Sequence, residues 1–273
     1  MTQQELPVRK TPKSRSRKTA IVLTLVIVLL VCSVAGLVLG AAARHRRETA
    51  AQAPVVTCGD FVLTNRDLSY YYWSEYFYFA NAVGENLPGF DASVRPDRQM
   101  YDDTRTWQDY FLERTLITVR DTVSMALAAR AADFILPEDY QSAYERVLSQ
   151  FDEAAEEQGY SDTDAYLRAS FGPAATRESF AQYLYDTHLA SAYSDEVYEA
   201  IDVSGEDAAA YRDLHEADYA GCQSESEALG EAADDLRSEQ YQNMFLSLTE
   251  PYLFQVDYDA IVLYEPEGLF EAK

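Results

Sequence analysis

The sequence predicts a mainly α protein: one transmembrane helix, then a multi-helix domain with a small antiparallel β element formed by an opening hairpin and a C-terminal strand. Three observations carry this expectation. An uncharged apolar run occupies residues 20–43. Amphipathic stretches with a 3.6-residue period follow one another between capping residues and Gly or Pro breaks. Runs rich in β-branched and aromatic residues sit only at the two ends of the remaining chain, at Val55–Thr64 and Tyr252–Glu265.

Residues 1–19 are basic and polar, with Pro7 and Pro12, and read as a disordered cytoplasmic tail. Ala20–Ala43 supplies 24 uncharged residues, and at a helical rise of about 1.5 Å each they reach about 36 Å, enough to cross a bilayer. Six basic residues precede the run and three follow it, so the positive-inside rule places the N-terminus in the cytoplasm and the body outside the cell membrane. The rival reading is a signal peptide cleaved near Ala41-Ala42-Ala43, although the apolar stretch is about twice a usual signal core. Residues 44–54 read as a linker.

The 273-residue chain has a formal net charge of −24, but residues 1–47 hold nine Lys/Arg and one acid, which leaves residues 48–273 at −32. Such a body repels phosphate backbones and excludes nucleic acid as a partner.

In the body, Gly59-Asp60 between Val-rich runs predicts a hairpin. Thr64 is expected to cap the next helix, with Asp67 three residues on as an acidic capping box. That helix contains SYYYWSEYFYFAN, residues 69–81, with eight aromatic rings between Tyr70 and Phe79. At about 100° per residue, Leu68, Tyr72, Tyr76 and Phe79 share one sector; Tyr70, Trp73 and Phe77 share a second; Tyr71 and Tyr78 take a third. Two readings stay open. The helix is sandwiched between the sheet and other helices, or one sector is buried while another lines a groove for a foreign chain, with Tyr70, Trp73, Phe77 and Tyr78 as candidate contacts. Insertion into a membrane surface is disfavoured because neither flank is basic.

Gly and Pro mark residues 84–103 as a loop. Further helices are expected over about 104–134, with Trp107, Phe111, Leu112, Ile117, Val119 and Val123 among the apolar positions, and over about 137–158, ended by Gly159. A short helix capped near Asp162, and others over about 177–201, 206–219 and 225–248, complete the set. Tyr252–Glu265 reads as a closing strand paired with the hairpin.

Enzymatic chemistry finds no support. There is no Gly-rich phosphate loop, GxSxG or HExxH, and adjacent acids such as Asp234-Asp235 do not face each other on a helix. No catalytic residue, cofactor or metal ligand is assigned: the Cys/His spacing resembles no zinc site, and the acids between Asp91 and Asp103 lack an EF-hand spacing. His188 and His215 read as ordinary surface or half-buried residues. Cys58 and Cys222 are a candidate disulfide in an oxidising compartment.

The order of these features resembles the N-terminal, trigger-factor-like helical domain of membrane-anchored SurA/PrsA-type extracytoplasmic foldases. The resemblance rests on the anchor, the strand pair ending in Thr64-Asn65-Arg66-Asp67-Leu68, AARAADFILPEDY (128–140), QGYSDTDAYLRASFGPAATRESFAQYL (158–184) and IDVSGEDAAAYRDLHEADYA (201–220). The turn glycine expected within 128–140 is absent. So is the catalytic parvulin unit, since only 53 residues follow Ala220. The resemblance therefore implies a non-catalytic chaperone-like domain whose partners are unfolded or extended segments of secreted proteins. The alternatives are a scaffold subunit of an envelope complex, or a divergent relative of the peptidyl-prolyl isomerases.

Overall fold

A computed structural model describes residues 40–83 and 89–270. The chain separates into a leading unit, residues 1–49, and a body, residues 50–273. In the leading unit the described residues are helical, and the Thr49 hydroxyl donates to the His45 carbonyl at 2.8 Å. Helix α1 covers residues 40–51, so the expected linker is helical over most of its length. Its Ala, Arg and Glu residues are strong helix formers, which accounts for the difference. The expected membrane span at 20–43 lies almost wholly outside the described residues, among which no helix is long and apolar enough to cross a membrane.

The body is mainly helical, with one three-stranded antiparallel sheet. Strand β1 (Pro54–Cys58) and strand β2 (Phe61–Thr64) form the hairpin, turning at Gly59, whose φ of 57° is the left-handed conformation such turns require. Strand β3 (Gln255–Val256) pairs with the other side of β1 in the order β2-β1-β3, with Val56 opposite Val256. The expected pairing of chain ends is therefore present, but β3 is only two residues long. The reason is local. Asp257 accepts from the Ala260 amide and starts a 3-10 turn, Tyr258–Ala260, and beyond it the backbone is held by side chains instead of a neighbouring strand.

Helix α2 (Asn65–Val83) opens with the expected capping box. The Thr64 amide donates to the Asp67 carboxylate at 3.0 Å, and the Thr64 hydroxyl accepts from the Asp67 amide at 3.4 Å. Helix α3 (Trp107–Ala131) has a full capping box from Thr106 and Asp109, and helix α6 (Arg177–Glu199) has one from Thr176 and Ser179. Between these lie α4 (Glu138–Glu157) and α5 (Thr163–Phe171), the latter capped by Asp162. Ser204 caps α7 (Gly205–Leu214), and Ser224 caps α8 (Glu225–Thr249). Helix α3 ends without a glycine. Asp133 takes φ 51° there, the left-handed conformation the missing residue would have supplied.

Helix α3 is the spine, packed against α6, α2 and α8. The largest core cluster joins Tyr70, Tyr72, Trp73 and Tyr76 of α2 to Trp107 and Phe111 of α3 and to Phe171 and Phe180. A second cluster packs the sheet residues Val55, Val56 and Leu63 on Leu68, Val119 and Val123. Ile117 was expected on this core face but is 47% exposed. It lies six residues from Phe111, about 240° around the helix, and so points away from the core.

Candidate functional site

Helix α2 holds its rings in two environments. Tyr70 and Trp73, expected as groove contacts, are buried, whereas Phe77 (36% exposed) and Tyr78 (73%) remain at the surface. The four do not form one site. The buried rings meet mostly edge to face; Tyr70 lies 5.2 Å from Phe171 and 5.3 Å from Phe180, and Tyr76 lies 5.3 Å from Phe111. This is the geometry aromatic quadrupoles favour.

Three of the buried rings also satisfy their polar atoms. The Tyr70 hydroxyl shares a 2.7 Å hydrogen bond with Ser179 Oγ, Tyr76 donates to the Ala92 carbonyl at 3.0 Å, and Trp73 Nε1 donates to the Tyr264 carbonyl at 2.7 Å. Loss of solvation pushes the phenols of Tyr70 and Tyr76 up to about 12, so both stay neutral.

What covers this face is the C-terminal segment, residues 257–270. Leu263, Leu269 and Phe270 pack onto the aromatic cluster, and Glu265 pairs with Arg95 at 2.6 Å. The segment is anchored by Asn65, whose amide donates to the Ala50 and Ala260 carbonyls at 3.0 and 2.8 Å and accepts from the Val262 amide at 2.8 Å. Asn65 was read only as part of a capping sequence. Full burial of a helix-start Asn is a tertiary property that no local pattern reports.

An open apolar surface lies along the outer face of α3. A groove of about 530 Å³ is lined by Leu112, Leu116, Ile117 and Arg120, with Tyr258 (66% exposed) on its far wall. Past Arg120 it continues into a recess of about 590 Å³ between α3 and the end of α8, where Phe245, Leu246 (61% exposed) and Tyr252 supply apolar surface. Carboxylates rim both halves: Asp109 and Glu113 in the first, Asp121 and Glu250 in the second. The cation they share, Arg120, is paired with Asp121 at 2.9 Å. The floor of the recess includes Ser124, whose buried hydroxyl has no hydrogen-bond partner.

A larger recess of about 820 Å³ opens beside the start of α6. Its Arg177 is held from two directions by the Asp152 carboxylate, with Nε and Nη2 both at 2.8 Å, so it offers no free cation. The signal for the α3 groove was present in the sequence, because Ile117 and Leu246 lie off the core stripes of their helices. Only the packing of α8 beside α3 joins them into one surface.

Other expected groups are placed apart. Cys58, buried at the end of β1, and Cys222, in the turn before α8, are both free thiols, so the candidate disulfide is not formed. Cys222 instead donates to Glu231 at 3.3 Å. His188 Nδ1 is 2.8 Å from the Leu184 carbonyl, and His215 stacks on Tyr211 at 4.4 Å. In the loop before α3, Asp91 accepts from Ser93, and Asp102 accepts from Thr104 and Arg105. Among the described residues no cluster is suited to a metal ion.

Comparison of the chain with protein-family models, with curated proteins and with solved structures finds no match.

Proposed function

We propose that the chain is a membrane-anchored, extracytoplasmic, chaperone-like protein of the SurA/PrsA N-terminal type that binds unfolded or extended segments of secreted proteins without catalysis. The observation carrying this reading is the acid-rimmed apolar groove along α3, in which Ile117, Tyr258 and Leu246 are exposed. Exposed apolar surface of this kind on a soluble domain marks a binding face. Its shallow, open shape suits chains of varied sequence better than one rigid small molecule. The uncharged run at residues 20–43 would tether the body at the outer membrane face, where secreted chains emerge unfolded.

The rim selects among clients. Four carboxylates around apolar walls favour segments that carry Lys or Arg beside aliphatic residues, because the field concentrates cationic chains and the walls bury their apolar side chains. The test is suppression of aggregation for several unrelated unfolded proteins. Wild type is expected to delay aggregation at near-stoichiometric ratios, and the double variant Ile117→Asp/Leu246→Asp to lose most of that effect at unchanged unfolding midpoint. Failure of wild type on every client overturns the proposal.

A further inference from the structure

The C-terminal segment lies on the body the way a bound peptide lies on its receptor. From Ile261 to Phe270 it forms no helix or strand: it runs without a turn to Pro266 and turns over residues 267–270, where Gly268 holds φ 71°. Backbone groups are met by Asn65 at Val262, by Trp73 Nε1 at Tyr264 and by the Ala169 carbonyl at Glu267, the last at 2.8 Å. Side chains enter the body at intervals: Leu263, Leu269 and Phe270 pack on the aromatic cluster, Pro266 is buried, and Glu265 meets Arg95. Only about 20 Å³ of free space remains beneath the segment, room for one water at most. Yet of these ten residues only Pro266 is fully buried, so the segment is a layer on the core and not part of its interior.

The receptor side is shaped for this strand of chain. A Cβ at Gly172 would stand 2.7 Å from Tyr264 Cβ, and Gly172 holds φ 110°, so both its missing side chain and its backbone are adapted to the close approach.

We infer that this cleft, floored by Trp73 and Tyr72 and flanked by Arg95 and Gly172, is a second peptide-binding site, occupied in cis by residues 261–270 and open to an extended segment of another chain when they lift. The segment in place defines the ligand chemistry: aliphatic and aromatic residues, a carboxylate opposite Arg95, a proline, and a terminal apolar pair. That is the opposite charge preference to the α3 groove. It also gives the buried ring Trp73 a role in binding that its burial alone would deny. Peptide backbone bonded to fixed donors and acceptors of the receptor, with spaced side chains packed beside it, is a general mode of peptide capture.

The inference does not depend on the α3 groove, and the two are tested by different readouts. In native-state hydrogen exchange on the full chain, the Val262 and Glu267 amides are expected to exchange at least tenfold faster than core amides of α3 and α6, through an opening confined to the segment. A labelled peptide of sequence IVLYEPEGLF is then titrated against the full chain and against Leu263→Asp, which loosens the segment and leaves the cleft unchanged. Leu263→Asp is expected to bind at least tenfold more tightly than wild type. If Leu263→Asp does not fold, Glu265→Lys replaces it, because loss of the Arg95 pair frees the segment. Binding is located by charge reversal: a peptide with Lys for its first Glu binds Leu263→Asp weakly and is rescued when Arg95→Glu is added. Exchange of Val262 and Glu267 only with global unfolding overturns the inference. So does a released segment without peptide binding, binding that charge reversal does not rescue, or dimerisation by segment exchange in its place.

Discussion

Asn65 carries more of the fold than any other single polar residue. It is fully buried, and its amide closes three hydrogen bonds that join the start of the body to the C-terminal segment. Asn65→Ala removes the partner of the Ala260 carbonyl and of the Val262 amide, while the Ala50 carbonyl keeps the Ala53 amide, and at about 1–3 kcal/mol for each buried group left unsatisfied it should cost at least about 2 kcal/mol. Denaturant unfolding measures this, with Asn65→Ser as the partial rescue. Asp133 offers the opposite case. A non-glycine residue at φ 51° holds a conformation that favours glycine, so Asp133→Gly should raise stability by about 0.5 kcal/mol, net of the extra entropy glycine brings to the unfolded chain.

Asp186, buried in α6, has its carboxyl raised above the usual range by loss of solvation, opposed by Arg130, and it also accepts from Gln182 at 2.6 Å. The sign follows from linkage. With the folded value above the unfolded one, the folded state holds the proton more tightly, and this contribution is complete below the unfolded value and lost as pH rises through the folded one. Wild type should therefore gain stability relative to Asp186→Asn as pH falls from 7 towards 4, read as the gap between their guanidinium midpoints.

At the scale of elements, helix limits follow short-range chemistry. Thr106–Asp109 and Thr176–Ser179 act within four residues of chain; the second start was read from the sequence, while the first was placed about two residues early with no cap assigned. Strand-like rings form a helix in α2 because its start is capped and its neighbours bury a wide stripe. Phe111 is the keystone of that packing, within 6.4 Å of the rings of Tyr72, Tyr76, Phe79, Phe90 and Trp107. Phe111→Ala should cost about 3–5 kcal/mol through the cavity it leaves, measured by thermal or denaturant unfolding. The closing strand was over-read for a matching reason. β-branched composition marks extended chain, but whether extended chain pairs depends on a neighbour, and after Asp257, whose amide still reaches the Val55 carbonyl, the neighbour is Asn65 and not a strand.

Over the whole molecule, the −32 carried by residues 48–273 sets how partners arrive. Capture of a basic unfolded client through the α3 groove should slow by about tenfold between about 0.05 and 0.5 M salt, as screening shortens the field, while capture of a neutral client changes little. Stopped-flow fluorescence of a labelled client reads the difference, and equal salt sensitivity for both clients overturns the role given to the rim.

The sequence by itself determined the helix order, the caps at Thr64 and Asp162, the hairpin, the return of the chain end to it and the charge of the body, because each is written in residues a few positions apart or in composition. It did not determine which rings are covered. Trp73 is capped by Tyr264, 191 residues away, and Ile117 joins Leu246 only through the packing of α8 beside α3. Burial is a sum over distant neighbours, so the same stripe of eight aromatic residues is compatible with an open groove or a closed core. The tertiary structure decided for a core under a C-terminal strap, and moved the open apolar surface to α3.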